Sequence, residues 1–167
     1  FIGTIIRPAT VCGFSPRQRL DLVVNILTNF AYNKKKIQIF GGAQLRPNIH
    51  ISDMVDSYIC LLNGKISKVS NQIFNVGFEN YSVEKLALMV KENIQENIEL
   101  EYTKSDDNRS YHISSKKISN VLNFKPNKNI NEAIKDLIAA FEQKLLSNTF
   151  NNDEYYNIKK MQKINLV

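Results

Sequence analysis

Strand-like and helix-like patterns alternate along most of this chain, and that alternation constrains its fold more than any other feature. Short apolar runs are typical of buried strands, whereas apolar positions recurring at i, i+3, i+4 and i+7 are typical of amphipathic helices. Strands separated by helices indicate an α/β fold with a parallel sheet. The predicted strands are 2–6, 37–40, 48–51, 72–76 and 98–102, and the predicted helices are 20 into the lysine triplet at 34–36, 53–62, 83–94, 115–122 and 130–146.

Polar residues stand where these helices should begin. Ser52, Ser82 and Asn129 are predicted N-caps, because their side chains can accept hydrogen bonds from exposed backbone N–H groups. Glu132 follows Asn129 by three positions, which predicts a capping box. Asp53 is predicted to stabilise the start of its own helix.

The chain length predicts one domain over residues 1–146, followed by a tail or extension over 147–167 where the periodicity is lost. A hydrophobic content of 43% is too high for a disordered tail, and no apolar run approaches the roughly 20 residues of a membrane span. The first residues read as the middle of a strand, so we expect a piece of a longer protein. An exposed apolar edge at Phe1–Ile6 should then promote self-association.

The net charge of +6 raises nucleic acid as a partner. Asn, Lys and Ile are all overused, however, and the lysine runs carry no interleaved aromatic residues, so a solvated basic surface is the favoured interpretation. Cys12 and Cys60 lie far apart without CxxC spacing, which indicates buried thiols rather than a zinc site or a disulfide. A reducing cytoplasm is the expected location.

Three segments, 5–25, 37–62 and 106–126, together with IFNVG at 73–77, carry a resemblance to a known family. In order and spacing they resemble the C-terminal half of the extended short-chain dehydrogenase/reductases, the NAD-dependent nucleotide-sugar epimerases and dehydratases. The resemblance implies an α/β fold comprising the last strand or strands of a Rossmann-type parallel sheet plus the smaller substrate-binding lobe. It also implies that the N-terminal Rossmann half is missing from these 167 residues.

The motifs that carry the family's chemistry are not found in the sequence. The six glycines form no GxxGxxG turn, so no loop that cradles a dinucleotide phosphate is predicted. Tyr-x-x-x-Lys occurs at Tyr32/Lys36, Tyr81/Lys85 and Tyr155/Lys159, a spacing common by chance. We therefore assign no catalytic residue and no metal ligand, and expect the chain alone to be inactive and to bind NAD weakly.

Arg46 and Arg109 match the family arginines that contact the substrate diphosphate. Chemically they suit that role, because a guanidinium stays ionised and can bridge two phosphate oxygens. The alternative is a surface arginine paired with Asp106 or Asp107.

Other positions match the walls of the family's binding sites. Arg17 and Arg19 could approach the sugar or nucleotide, or lie in a solvated loop. Leu20, Ile39 and Phe40 match residues that shape the sugar and base pocket, although such apolar residues are more often plain core.

The segment Pro8, Ala9 and Thr10 matches the family stretch beside the nicotinamide ring and is the candidate cofactor contact. His50 lies in an apolar strand, where structural hydrogen bonding is favoured over acid–base catalysis. His112 carries no predicted role.

Three functions remain open. The first is part of an NAD-dependent epimerase/dehydratase that binds a nucleotide-diphosphate sugar; a homodimer is one option for the intact enzyme. The second is a noncatalytic or separately encoded sugar-nucleotide-binding lobe that needs a Rossmann partner chain. The third and least favoured is a basic nucleic-acid module.

Overall fold

The computed structural model describes residues 3–105 and 109–166, which form seven strands and seven α-helices. The strands are β1 Ile5–Pro8, β2 Thr10–Cys12, β3 Lys36–Phe40, β4 Leu45–His50, β5 Ile73–Val76, β6 Glu79–Ser82 and β7 Glu99–Thr103. The helices are α1 Val23–Lys34, α2 Ile51–Leu62, α3 Ile66–Val69, α4 Val83–Ile94, α5 Lys116–Leu122, α6 Ile130–Glu142 and α7 Asn157–Lys163, with a 3-10 turn at Asp153–Tyr155. No helix among the described residues is both long and apolar enough to cross a membrane.

The strands pair mostly in parallel, as the alternation predicts. β1 pairs with β5, β2 with β4, and β3 with β7, all parallel, while β6 joins β4 antiparallel. The α/β fold class is therefore confirmed. Segment 10–12, where the sequence patterns predict neither strand nor helix, forms the short strand β2.

Pro8 ends β1 without disturbing its pairing to β5. The backbone N–H of Ile5 donates to the backbone oxygen of Gln72 at 2.9 Å, and that of Ala9 donates to the backbone oxygen of Val76 at 2.7 Å. Because successive backbone N–H groups of a strand point to opposite edges, the nitrogen of Pro8 points away from β5. A proline there removes no hydrogen bond between β1 and β5. Within the described residues, no strand pairs with that other edge of β1.

Two of the predicted N-caps are confirmed. Ser82 Oγ accepts from Lys85 N at 3.2 Å at the start of α4. Asn129 Oδ1 accepts from Glu132 N at 3.1 Å while Glu132 Oε2 accepts from Asn129 N at 2.8 Å, which completes the predicted capping box of α6.

The predicted cap at Ser52 is wrong, because α2 begins two residues earlier than predicted. His50 is the N-cap, and its Nδ1 accepts from Ser52 N at 3.1 Å. Its Nε2 lies 3.0 Å from Asp136 Oδ2 on α6, which confirms the structural role expected for this histidine.

Asp53 lies in the first turn of α2, where a negative charge suits the helix N-terminus. Its buried carboxylate also accepts hydrogen bonds from the backbone N–H groups of Asn127 and Lys128, each at 2.9 Å. Asp53 therefore also ties α2 to the segment that precedes α6.

Buried side chains gather in three clusters between these elements. The largest joins α1, α4 and α6 to β3, and the second lies between the β1–β5 pair, α2 and α5. Cys12 is buried and Cys60 partly buried, and both are free thiols. Burial raises the pKa of the Cys12 thiol to about 12, so it stays protonated at neutral pH.

The third cluster joins the C-terminal segment to the body of the chain. Residues 147–166 fold back, and Tyr155 and Tyr156 pack against a cluster that holds Leu20 and Phe141. Helix α6 ends at Glu142 rather than at residue 146.

Helix α2 exposes an apolar surface to solvent. Val55, Tyr58, Ile59 and Leu62 recur at helical spacing along α2, and all four are exposed, Leu62 at 85%. We call these four residues the outer face of α2. On β1, Ile5 is 54% exposed, as expected of an open edge; Phe1 and Ile2 lie outside the described residues.

Candidate functional site

Two adjoining cavities lie beside the junction of β1 and β2 and share Thr10, Leu22 and Tyr111 in their linings. The smaller, of about 470 Å³, is bordered by the loop of residues 13–22, and we call it the loop cavity. The larger, of about 730 Å³, contains Arg46 and Arg109 and is called the arginine cavity.

The segment that joins β1 to β2 lines the loop cavity. Pro8, Ala9, Thr10 and Val11 all line it, because β1 pairs with β5 while β2 has already moved to β4. The predicted cofactor segment thus faces a cavity.

Arg17 borders the loop cavity and is held by the C-terminal segment. Its Nη1 donates to the backbone oxygen of Glu154 at 3.3 Å, and its Nη2 donates to Asn157 Oδ1 at 3.0 Å.

Arg19 also borders the loop cavity but is paired within its own loop. Its Nε and Nη2 donate to the two carboxylate oxygens of Asp21 at 2.9 and 3.0 Å. Burial alone would raise the pKa of Asp21, but the Arg19 guanidinium and the backbone N–H of Asn157 outweigh it and hold that pKa below its ordinary value. Neither arginine is simply solvated.

The arginine cavity brings Arg46 and Arg109 together. Arg46 projects from β4, and its Nη1 donates to the backbone oxygens of Leu45, at 3.0 Å, and of Arg109. The Arg46 guanidinium carbon lies 5.5 Å from the centre of the Tyr111 ring. The alternative partners Asp106 and Asp107 lie outside the described residues.

The 109–113 loop is also fixed to the backbone of Leu45 on β4. Ser110 Oγ accepts from Leu45 N at 3.0 Å, and Tyr111 N donates to Leu45 O at 3.4 Å. One strand end therefore positions both arginines.

A glycine turn shapes the other side of the arginine cavity. Gly41 and Gly42 have φ of +74° and +114°, values that favour glycine. Gln44 closes the turn, since its Oε1 accepts from Gly42 N at 2.7 Å and its Nε2 donates to Phe40 O at 2.6 Å. Phe40 is left 50% exposed and lines the cavity, together with Gln38 and Gln44.

Two predicted pocket residues lie elsewhere. Leu20 and Ile39 are fully buried in the core clusters and line neither cavity. Leu22 and Tyr111 line both cavities and were not predicted, although the position of Tyr111 two residues after Arg109 was a usable signal. The remaining apolar wall comes from α1 and α4: Val23, Ile26, Leu27, Phe30 and Val83.

The three Tyr-x-x-x-Lys pairs lie apart from the two cavities. Tyr32, Tyr81 and Tyr155 line neither cavity. The negative charge of Glu79, 3.1 Å from the Tyr81 hydroxyl, raises the pKa of Tyr81, which opposes the tyrosinate form. Over residues 3–105 and 109–166, no three His, Cys, Asp or Glu side chains group as metal ligands.

A protein-family model matches the first part of the chain. Residues 1–77 match the model of the NAD dependent epimerase/dehydratase family. The match covers β1 to β5, the region that supplies part of the lining of the loop cavity and Arg46.

Solved structures with the same fold include nucleotide-sugar enzymes of this epimerase/dehydratase group. UDP-glucose 4-epimerase from Thermotoga maritima, solved with UDP-glucose, is 24% identical to this chain and superposes with a TM-score of 0.75. The match covers 87% of this chain and 48% of the epimerase chain. UDP-glucuronic acid 4-epimerase from Bacillus cereus, solved with UDP-glucuronic acid and NAD, is 23% identical with a TM-score of 0.72. The match covers 84% of this chain and 45% of that enzyme. The dTDP-glucose 4,6-dehydratase from Bacillus anthracis, solved with NAD, is 16% identical with a TM-score of 0.70. The match covers 92% of this chain and 46% of the dehydratase.

The chain spans about half the length of these structures. Its α/β fold is that of part of an extended short-chain dehydrogenase/reductase, as the sequence resemblance predicts.

Proposed function

We propose that residues 1–167 form the substrate-binding part of an NAD-dependent nucleotide-sugar epimerase or dehydratase. In this role the arginine cavity holds the diphosphate of the sugar nucleotide. The observation that carries the proposal is the meeting of Arg46 and Arg109, 63 residues apart in sequence, at one cavity.

The lining of the arginine cavity suits such a ligand. A diphosphate is anionic, and two guanidinium groups supply fixed positive charge with a planar array of donors. The wall of Leu22, Phe30 and Phe40 offers apolar surface for a base or sugar ring, and Gln38 and Gln44 offer polar contacts. A volume of about 730 Å³ lies in the range of small-molecule sites.

The loop cavity fits only one edge of NAD. Pro8 to Thr10 present backbone beside a cavity that adjoins the arginine cavity, so a ring placed there would lie next to a sugar bound across Thr10. The chain has no glycine-rich turn for the dinucleotide phosphates. In the intact enzyme the cofactor would therefore be held mainly by a Rossmann half, which is the proposed partner. NAD, when bound, exchanges a hydride with the sugar; this chain orients the substrate for it.

A ligand panel tests the proposal. Residues 1–167 are titrated by calorimetry with UDP-, GDP-, CDP- and dTDP-glucose, and with NAD. We expect saturable binding of at least one sugar nucleotide and no micromolar NAD binding. Glucose and inorganic phosphate are the controls, since neither carries the diphosphate. Tight NAD binding, or no binding of any sugar nucleotide, would contradict the proposal.

A further inference from the structure

We infer that residues 147–166 act as a strap that positions the 13–22 loop, and that Asn157 is the positioning residue at its centre. By holding Arg17 and Asp21, Asn157 sets one wall of each cavity. The inference rests on the proposed function only for the identity of the ligand; the positioning itself is a claim about this chain.

Asn157 makes two contacts of opposite kind. Its side-chain Oδ1 accepts from Arg17 Nη2 at 3.0 Å, and its backbone N–H donates to Asp21 Oδ2 at 3.1 Å. Asp21 in turn binds Arg19 through both carboxylate oxygens. Asn157 thus orders Arg17 directly, and Arg19 through Asp21, and both arginines line the loop cavity. Among the described residues that line the arginine cavity, Asp21 is the only one with a carboxylate.

The strap is anchored directly before Asn157. Leu20 N donates to Tyr155 O at 2.9 Å, and the Leu20 side chain is fully buried in the cluster that includes Tyr155 and Tyr156. This explains why an apolar residue at position 20 points away from the cavities.

A third contact reaches the wall of the arginine cavity directly. The Phe150 ring lies 5.0 Å from the Phe30 ring in an edge-to-face arrangement, and Lys34 Nζ lies 4.9 Å from the Phe150 centre. Phe30 lines the arginine cavity. The strap therefore supports residues of both cavities from behind.

The 13–22 loop needs such support because it has no helix or strand of its own. Gly13 begins it at φ +101°, and ordering a segment of this kind costs conformational entropy. A loop already fixed before ligand arrives binds more tightly, because that cost does not fall on the binding step.

Asn157→Pro breaks both contacts at once with little effect on α7. Asn157 is the first residue of that helix, where proline is well tolerated, and Tyr156 before it has the extended backbone that precedes proline. Proline supplies neither the N–H for Asp21 nor the acceptor for Arg17. Asn157→Asp keeps both contacts, Asn157→Ala keeps only the N–H, and Gln162→Ala alters an exposed side chain on the same helix as the control.

Three measurements are made on each variant of the full chain: the pKa of Asp21 by NMR, amide exchange of residues 13–22, and the affinity for UDP-glucose. For Asn157→Pro we expect the pKa of Asp21 to rise, exchange in 13–22 to accelerate, and affinity to fall about tenfold, equivalent to the loss of one charged hydrogen bond. Asn157→Ala should leave the pKa of Asp21 near its starting value and lose less affinity. Gln162→Ala should match the parent. Asn157→Asp should keep the slow exchange of residues 13–22, although its added negative charge raises the pKa of Asp21.

An unchanged pKa of Asp21 together with unchanged exchange of residues 13–22 in Asn157→Pro would overturn the positioning role. If the parent chain does not bind UDP-glucose while both structural readouts still respond, the strap is supported and only the proposed ligand fails.

Discussion

The arginine cavity and the outer face of α2 both present apolar side chains to solvent, but they do so in different settings. The cavity is concave, carries two arginines, and is braced by hydrogen bonds between distant segments. The outer face of α2 is a convex helical stripe of four apolar residues with no charged side chain in the stripe.

The difference separates two kinds of recognition. A concave site with a few fixed charges suits a small anionic ligand. An exposed apolar stripe suits burial against another protein surface. Substitutions on one region should leave the function of the other intact, and the predictions below test that independence.

The largest effect is expected on the inner side of α2. Asp53→Ala should lower the free energy of unfolding by about 3 kcal/mol, because it removes a buried charged acceptor that satisfies two partly buried backbone donors. Asp53 is only 1% exposed. Denaturant unfolding measures the change, and Asp56→Ala, an exposed carboxylate on the same helix, is the matched control. Equal losses for the two variants would refute the tie between α2 and the segment that precedes α6.

A smaller effect on the fold, but a clear one on association, is expected on the outer face. Ile59→Lys with Leu62→Lys should reduce self-association, seen by analytical ultracentrifugation, while affinity for sugar nucleotides is retained. Gln143→Lys with Gln162→Lys adds the same charge at exposed polar positions and should change association less. Ile5→Lys tests the open edge of β1 separately. A chain that is monomeric at high concentration before any substitution would contradict the prediction.

The smallest effect concerns Asp21. Its folded-state pKa lies below the unfolded value of about 3.9, so its ionised form contributes stability above that pH, and the contribution is lost as pH falls through the folded pKa. Asp21→Asn should therefore cost stability at pH 6 and almost none near pH 2. The cost should stay below about 1 kcal/mol because the pair is partly exposed. Unfolding measured from pH 2 to 6, with Asp56→Asn as control, gives the difference; a cost that grows at low pH would contradict it.

Local sequence signals predicted much of this fold. The caps at Ser82 and Asn129 and the alternation of strands and helices depend on residues close together in sequence, so spacing reveals them. The pairing of Arg46 and Arg109 at one cavity followed from the family resemblance rather than from spacing.

Contacts between distant segments could not be predicted in this way. Leu20 fits the helical period of α1, yet it lies before the helix and packs against the C-terminal segment. Asp53 stands at a helix start, but its hydrogen-bond partners lie more than 70 residues away. Periodicity does not encode which loop returns to cover a given side chain.

The central claim is that Arg46 and Arg109 address one diphosphate, and a double-mutant cycle on sugar-nucleotide affinity tests it most directly. Each single change to Ala should cost about 1.5–3 kcal/mol of binding free energy. The double variant should cost clearly less than their sum, because the two groups share one ligand and because Arg46 also holds the backbone of Arg109. Lysine at either position should restore only part of the loss. Unchanged affinity in both single variants, with stability lost instead, would contradict the claim.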